Sequence, residues 1–283
     1  MNRSNETLQF PTDARPWHFL GITLGVTWLT GFLGVALQGR IPRPLVLLLV
    51  YSGGLSPLAV ALWLTYRKHA RPRQQKFWTR IVDIHRIGWT WTAVILLFFP
   101  LKSLLAALID RFLGGSGIAP EAVSKLIAQP LTIVPTLLFW LFFGPVPEEP
   151  GWRGYATDGL QAQTGATRAS LVVGSVWMLW HLPLFFIEGT WQAEHLGFGT
   201  TLFGLWAMGV IIESVLYTWI YNNTQRSIFA AILFHFVGNA FGQLFALSDR
   251  AEFINYGLSI VAVLTVIAIW GPAHLRHPPQ PVT

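Results

Sequence analysis

The residues that could carry out chemistry in this chain are a few polar side chains set in apolar surroundings. Glu148 and Glu149 directly follow an apolar run and precede Pro150, which favours the first turn of a helix. On that helix Glu149 and Arg153 are four residues apart, a spacing that permits an ion pair. Glu148 is then the carboxylate left for other work, although acidic residues at a helix start are also explained by capping alone.

Two histidines and an amide lie within later apolar runs. His181 follows Trp177 by one helical turn, and His235 and Asn239 are spaced i, i+4, so each pair lies on one face of its helix. A lone buried histidine is more often a packing residue, but two polar groups on one face are harder to explain by packing. Ionisable groups at membrane depth are costly and suggest function. Glu213, in another apolar run, has a role that the sequence leaves open.

Together these residue types can hydrolyse an amide bond without a nucleophilic side chain. A carboxylate hydrogen-bonded to a histidine, or both on a metal ion, can deprotonate water. A second histidine with an asparagine supplies donors where charge develops on a carbonyl oxygen. The chain has no cysteine, which excludes disulfides, thiolate metal sites and a cysteine nucleophile.

The composition predicts that membrane-spanning helices carry these side chains. Charged residues make up 11% of the 283 residues and hydrophobic residues 53%, too little charge to cover a water-facing surface. The predicted fold class is all-α: a polytopic membrane bundle of about eight helices, each about 20 residues long, with a polar catalytic cavity. The apolar runs are Trp17–Leu37, Leu45–Tyr66, Ile87–Ile109, Val123–Phe143, Ala169–Ile187, Thr201–Tyr221, Ser227–Leu247 and Phe253–Trp270.

The positive residues predict the orientation of the bundle. The net charge is +6, with a basic cluster between Arg67 and Arg86 that lies between two apolar runs. In a soluble protein this excess would suggest nucleic acid, but here it is a juxtamembrane topology signal. Thirteen Lys and Arg residues fall on the side of both termini and five on the other. This asymmetry predicts that both termini are cytoplasmic.

Three motifs resemble those of the CPBP family, which comprises the type II CAAX prenyl endopeptidases and the bacterial Abi or bacteriocin-processing membrane proteases. The resemblance covers about residues 120–245. It departs from the family at Trp177, where the family often has Phe, and this change preserves an aromatic ring. The motifs are Glu148-Glu149-x-x-x-Arg153, an aromatic residue four positions before His181, and His235-x-x-x-Asn239.

The resemblance implies an intramembrane endopeptidase and a role for each motif residue. The first glutamate and His181 would activate the hydrolytic water, and His235 with Asn239 would hold the oxyanion. The Glu149–Arg153 pair would orient the site. The implied catalytic set is Glu148, Glu149, Arg153, His181, His235 and Asn239.

The resemblance leaves the need for a metal open, because both a metalloprotease mechanism and a metal-free glutamate mechanism are proposed for the family. The sequence lacks His-Glu-x-x-His, the spacing that places two zinc ligands on one helix face. Glu148, His181 and His235 could nevertheless supply three ligands to Zn²⁺ with an open fourth position. The expected partners are a peptide or membrane-protein substrate and the lipid bilayer, with no nucleic acid.

The motifs can meet only if Glu148 lies inside the membrane layer. At 1.5 Å per residue, His235 is about 14 Å and His181 about 20 Å from the cytoplasmic edge. Residues 145–161 are therefore predicted to form a buried helix-break-helix that lines a watery cavity. We expect this cavity to open towards the cytoplasm, and Glu148 to lie within about one water of the His181 ring.

The chain is predicted to be one integral membrane domain in three parts, in a prokaryotic cell membrane. Residues 1–119 hold three spans and the basic loop, 120–247 the protease core, and 248–283 the last span and a short tail. Two other functions remain as alternatives. A proton-coupled transporter would show inverted repeats, which the sequence lacks, and a non-catalytic immunity-type protein would be favoured by loss of a motif residue. The substrate is open among maturing peptides, bacteriocins and membrane proteins.

Overall fold

The computed structural model describes residues 15–68, 71–118, 128, 130–244 and 246–276. The start of the fourth predicted span, at Val123, lies outside the described residues. Within them the chain is helical, as predicted from the composition, and the α-helices are α1 (Pro16–Leu37), α2 (Arg43–Gly54), α3 (Ser56–Lys68), α4 (Arg71–Val82), α5 (Gly88–Phe112), α6 (Ile133–Phe143), α7 (Pro145–Gly151), α8 (Asp158–Thr164), α9 (Ala166–Trp180), α10 (Thr201–Asn223), α11 (Ile228–Leu244) and α12 (Asp249–Trp270).

The described chain contains fewer full-length spans than the sequence predicted. Six helical stretches are long and apolar enough to cross a membrane, and a seventh is obtained if α2 and α3, which meet at 41°, count as one bent span. The seventh apolar run of the sequence is the shorter helix α11. The polytopic helical bundle is therefore confirmed, with a bent second span and one short helix inside it.

The bend between α2 and α3 has a local cause. Pro57 has no N–H and cannot donate to the carbonyl of Gly53, one turn earlier. The hydroxyl of Thr27 on α1 donates to that carbonyl instead, at 2.9 Å, and lies 2.7 Å from the Ser56 hydroxyl. The break in the span is thus stabilised by side chains of its neighbours, as unpaired backbone groups at membrane depth require.

Helices α9 and α10 approach each other closely at Gly174. A Cβ atom at this position would lie 2.8 Å from the carbonyl oxygen of Ile211 and 2.8 Å from the Cβ of Ser214. A small residue at a helix contact lets two backbones approach within the membrane. Gly174 therefore sets the distance between the helix that carries His181 and the helix that carries Ser214.

Successive spans run in opposite directions, and hydrogen bonds join the segments at each end of the bundle. One end, which we call the basic end, consists of residues 15–17, 67–86, 152–165, 224–227 and 271–276. The Arg86 guanidinium donates to the Gln225 carbonyl at 2.9 Å, and the Asn222 amide donates to the His274 carbonyl at 2.8 Å. Trp17 of α1 donates to Gln163 at 3.3 Å. The start of α1 is thus tied to α8, and the end of α10 is tied to the C-terminal segment.

The other end, which we call the loop end, consists of residues 38–43, 113–118, 130–132, 187–200 and 246–249. The Gln38 amide, after α1, donates to the Phe186 carbonyl at 2.9 Å. The Ser248 N–H donates to the Gly117 carbonyl at 3.1 Å. The first contact joins the end of α1 to the segment that follows α9, and the second joins the segment after α5 to the segment between α11 and α12.

The basic cluster of the sequence is not a plain loop, because it contains helix α4. Phe77 and Arg80 of α4 are buried. The Arg80 guanidinium is 2.7 Å from Asp158, which also pairs with Arg226, and it donates to the Gly154 carbonyl at 3.0 Å. Arg80 is therefore part of a buried ion network that fixes α4 against α8, and only the rest of the cluster acts as surface charge.

Candidate active site

The segment that carries the two glutamates is buried, as predicted, but it is not interrupted by a break. Helix α7 starts after Gly144, continues into a π-helical turn, Trp152–Thr157, and then into α8. The break that we placed inside residues 145–161 lies before them, at Gly144, whose backbone φ and ψ of −122° and −104° are not helical. A π-helical turn accommodates one extra residue without exposing the backbone to lipid.

Small side chains and one hydroxyl make this turn possible. The Thr157 hydroxyl donates to the Trp152 carbonyl at 2.8 Å, so it satisfies an acceptor within the π-helical turn. A Cβ at Gly151 would lie 2.6 Å from the Pro57 carbonyl oxygen, and one at Gly154 would lie 2.6 Å from Ile228. The glycines therefore allow the glutamate helix to lie directly against α3 and α11.

Glu148 is buried and held by an indole. Its side chain is 4% exposed, and the Trp177 Nε1–H donates to its Oε2 at 2.6 Å. A hydrogen bond to a charged acceptor is stronger than one between neutral groups. Trp177 therefore fixes the carboxylate that the sequence left free for catalysis.

Glu149 lies behind Glu148 and connects its own motif to the motif that contains His235. Its Oε1 accepts from the Arg153 guanidinium at 3.1 Å and lies 2.8 Å from Nδ1 of His235. Both Glu149 and Arg153 are fully buried. The predicted ion pair of residues i and i+4 is thus present, and its carboxylate also orients the imidazole of His235.

The Arg153 guanidinium lies between two aromatic rings. Its central carbon is 4.7 Å from the ring centroid of Trp177 and 4.4 Å from that of Tyr217. It also donates to the Ser214 hydroxyl at 3.2 Å. A cation held over aromatic faces in a dry environment is stabilised by their quadrupoles. Arg153 therefore has a fixed position and holds Glu149 in place.

His181 ends α9, and its tautomer follows from its backbone partner. Its Nδ1 lies 2.8 Å from the Trp177 carbonyl oxygen. A carbonyl can only accept, so Nδ1 carries the proton and Nε2 of the neutral ring is the acceptor. The ring packs beside Trp180 and Trp206, with centroid distances of 4.7 and 5.4 Å. His181 is thus oriented with one basic nitrogen left to accept a proton.

Asn239 lies one turn after His235 on α11, beside the backbone of Gly144. A Cβ at Gly144 would be 3.3 Å from the amide nitrogen of Asn239. Within the described part of the chain, no hydrogen bond involves this amide. Its N–H groups are therefore free to donate to a ligand, which an oxyanion site requires.

These side chains line a cavity of about 1210 Å³. Glu148, His181, His235 and Asn239 are all on its wall, together with Trp177. The Glu149–Arg153 pair is buried behind this wall. The structure thus brings the three motifs together and separates groups that face the cavity from groups that position them. The predicted water-bridged separation of Glu148 and His181 stays a prediction.

The predicted zinc ligands do not form one ligand group. Among the described residues, no three His, Asp or Glu side chains are grouped so that they could hold a metal ion. Nδ1 of His235 is directed at Glu149, and Oε2 of Glu148 is occupied by the Trp177 indole. The donor set of Glu148, His181 and His235 does not fit a zinc site in this arrangement, and no step below uses a metal.

Glu213, whose role the sequence left open, has two partners on other helices. Its Oε1 is 2.5 Å from the Lys102 ammonium and accepts from the Ser259 hydroxyl at 2.5 Å. The pair joins α5, α10 and α12 on the cavity wall. Each of the two ionisable residues lies within an apolar run, so a search for oppositely charged partners inside spans would have predicted this contact.

Three residues of the site were not predicted to be partners of the motif side chains. Trp177 was noted only as an aromatic ring, and Ser214 and Tyr217 were not singled out. Their spacing of three on α10 puts them on one face, next to Glu213. No sequence pattern tells which of 14 tryptophans uses its N–H in the site, because that depends on the packing of α9 against α7.

The sequence is similar to known proteases of the membrane. The family model described as type II CAAX prenyl endopeptidase Rce1-like matches residues 130–241, which include all three motifs. A protein described as CAAX prenyl protease 2 from Methanococcus maripaludis is 29% identical over 251 residues. That match covers 87% of this chain and 90% of the relative.

Proposed function

We propose that the protein is an intramembrane endopeptidase, because its residues 130–241 match the family model described as type II CAAX prenyl endopeptidase Rce1-like. It hydrolyses a peptide bond of a membrane-associated or C-terminal peptide. Glu148 and His181 activate the water. His235 and Asn239 bind the oxyanion.

The observation that carries this proposal is the double contact of Trp177. Its indole N–H holds Glu148, and its backbone carbonyl holds His181 with Nε2 as acceptor. A carboxylate and a basic imidazole nitrogen are thus fixed by one residue on the wall of one cavity. A water between them can lose its proton to either group, which is the requirement for general-base catalysis.

The buried cluster contains two carboxylates, Glu148 and Glu149, and one permanent cation, Arg153. Nδ1 of His235 lies 2.8 Å from Oε1 of Glu149, so Nε2 is the ring nitrogen that remains for a ligand. In the proposed mechanism the Nε2–H of His235 donates to the oxyanion.

The proposed reaction follows from this arrangement. Water attacks the scissile carbonyl carbon while its proton passes to Glu148 or His181, and the carbonyl oxygen becomes an oxyanion that His235 and Asn239 stabilise. The same proton then moves to the leaving nitrogen, and the C–N bond breaks. The products are a carboxylic acid, which then loses its proton to water, and an amine, and no covalent enzyme intermediate is formed.

Two other functions predict different consequences for the same residues. A proton-coupled transporter would use Glu148 and His181 to carry protons and would show no hydrolysis. An immunity-type protein would keep the fold without turnover. The presence of all motif residues around one cavity favours the protease.

The test is peptide cleavage by the purified protein in detergent or nanodiscs, with a library of quenched fluorescent membrane peptides. Glu148→Gln keeps the shape of the side chain and removes the carboxylate, and we expect it to abolish cleavage. Glu188→Gln is the matched control, because Glu188 is exposed at the loop end. Equal cleavage by wild type and the folded Glu148→Gln variant would refute the proposal.

A further inference from the structure

Lys102 and Glu213 form an ion pair on the cavity wall that belongs to none of the three motifs. Their side chains are 8% and 17% exposed, and the ammonium nitrogen lies 2.5 Å from Oε1 of Glu213. Both residues lie within apolar spans, where an ionisable side chain is costly and suggests function. The pair is therefore a polar site of the cavity that is separate from the catalytic groups.

The pair leaves one donor and one acceptor for a ligand. An ammonium has three N–H bonds, and among the described residues that of Lys102 donates to Oε1 of Glu213 and to the Ser259 hydroxyl, at 2.7 Å. The Ser259 hydroxyl donates to the same carboxylate oxygen. Oε2 of Glu213 accepts no hydrogen bond within the described part of the chain, and it is not shut off from solvent. This oxygen and the third N–H of Lys102 therefore lie side by side on the cavity wall.

The acceptor lies about one helical turn from the proposed oxyanion site. Glu213 precedes Tyr217 by four residues on α10, and the Tyr217 ring is 5.6 Å from that of His235. At 1.5 Å per residue, the offset along α10 is about 6 Å.

The donor lies at a similar depth on α5. Lys102 follows Phe99 by three residues, or about 4.5 Å. The Phe99 ring packs against Gly238, where a Cβ would lie 3.1 Å from it, and Gly238 directly precedes Asn239 of the oxyanion site. An extended chain advances about 3.3 Å per residue. The ion pair is therefore one to two substrate residues away from the scissile carbonyl group.

A donor beside an acceptor matches the backbone of one extended residue. The N–H and C=O of such a residue point to the same side and pair together with a neighbouring strand. Within a membrane these groups need hydrogen-bond partners inside the protein. The ion pair has no net charge, so it suits a neutral peptide group better than a charged side chain.

We propose that Lys102 and Glu213 bind the backbone of one substrate residue, one to two positions from the scissile bond. The Lys102 ammonium donates to the carbonyl oxygen of that residue, and Oε2 of Glu213 accepts from its N–H. This assignment rests on the peptidase activity proposed above. It predicts that the enzyme tolerates different side chains at this position and rejects proline, which has no N–H.

The test replaces single backbone N–H groups of a cleaved peptide by ester oxygens, one position at a time. Cleavage at the original bond is followed by mass spectrometry. For wild type we expect one position, one to two residues from the scissile bond, at which the ester lowers kcat/KM by about tenfold or more, the usual cost of a lost hydrogen bond to a charged group. Proline at this position should lower kcat/KM at least as much.

A double variant separates backbone binding from helix packing. Lys102→Met/Glu213→Met removes both charges, so neither is left buried alone, and such apolar replacements of a buried ion pair are often neutral or stabilising. We expect the ester penalty at the sensitive position to fall to about threefold or less. The control is Asp83→Met/Arg86→Met, which removes an ion pair that is not on the cavity wall and should keep the wild-type penalty.

A conservative variant provides a second comparison. Lys102→Gln/Glu213→Gln removes both charges but keeps a donor and an acceptor, and it should show an intermediate ester penalty because neutral hydrogen bonds are weaker than charged ones. Absence of a sensitive position in wild type overturns the proposal, and so does an equal penalty in wild type and in any folded double variant of this pair. A purely structural ion pair would change stability without changing this ratio. If wild type cleaves no peptide, the proposed function fails instead.

Discussion

Replacement of Trp177 by Phe removes one hydrogen-bond donor and keeps an aromatic ring at the same position. In the structure the indole N–H is 2.6 Å from Oε2 of Glu148. The backbone carbonyl that orients His181 is unaffected by the substitution. The variant therefore perturbs the proposed general base while His181 keeps its tautomer.

The size of the effect follows from the type of hydrogen bond. A hydrogen bond to a charged group contributes about 1.5–3 kcal/mol. If this energy holds Glu148 in the productive position, its loss reduces kcat by about 10- to 150-fold, since about 1.4 kcal/mol corresponds to tenfold. A smaller cation–π attraction between a phenyl ring and Arg153 adds to the loss. KM should change little, because Phe keeps an aromatic ring at the same place on the cavity wall.

The assay is steady-state cleavage of a substrate peptide by wild type, Trp177→Phe and Trp180→Phe. Trp180 is the matched control: it is on the same helix, it is equally buried and its ring packs beside His181, but its indole N–H donates to Ser56 at 3.3 Å and not to Glu148. We expect Trp180→Phe to stay within about threefold of wild type. Equal kcat values for the two variants, both folded by thermal unfolding in detergent, would show that the indole does not position Glu148.

Three further predictions concern the oxyanion site, the metal and the packing of the bundle. Asn239→Ala should keep the thermal stability of wild type and lower turnover by about 10²–10³-fold, the usual cost of one oxyanion donor; near-normal turnover would mean that Asn239 only packs. Exhaustive chelation should leave activity intact in a preparation shown to be metal-free by elemental analysis, whereas loss of activity that Zn²⁺ restores would establish a metalloenzyme. Gly174→Ala should destabilise the protein by about 1–3 kcal/mol, because its Cβ would lie 2.8 Å from the Ile211 carbonyl oxygen. Gly204→Ala on α10, where nothing lies within 4 Å, should not lower the unfolding temperature, and equal losses for both would contradict the packing argument.

The sequence was sufficient for the parts of the molecule that are governed by composition and short-range spacing. Apolar runs predicted the helical bundle, and i, i+4 spacing predicted the contact of Glu149 with Arg153. The motif resemblance is confirmed by the family model over residues 130–241. These features depend on helix periodicity, which the chain displays locally.

Other features depended on long-range packing and were missed or wrong. Arg80 was counted as a surface charge, but Asp158, which lies 78 positions later, buries it. The cavity was expected to open at the end with the basic loop, yet none of the described residues that line it comes from that end. Charge counting does not distinguish a solvated arginine from a paired one, because both have the same sequence signal.

The basic end and the catalytic cluster both contain buried arginines that pair with carboxylates. A carboxylate can activate water within a membrane only where water reaches it from one side and where the groups behind it hold its position. Arg153 is held between Trp177 and Tyr217 and fixes Glu149, so the glutamate helix cannot turn away from the cavity. Arg80 donates to the Gly154 carbonyl in the π-helical turn that continues this helix, and it pairs with Asp158. Arg80 and Arg153, which the sequence presents as topology signals, are therefore also groups that fix the glutamate helix.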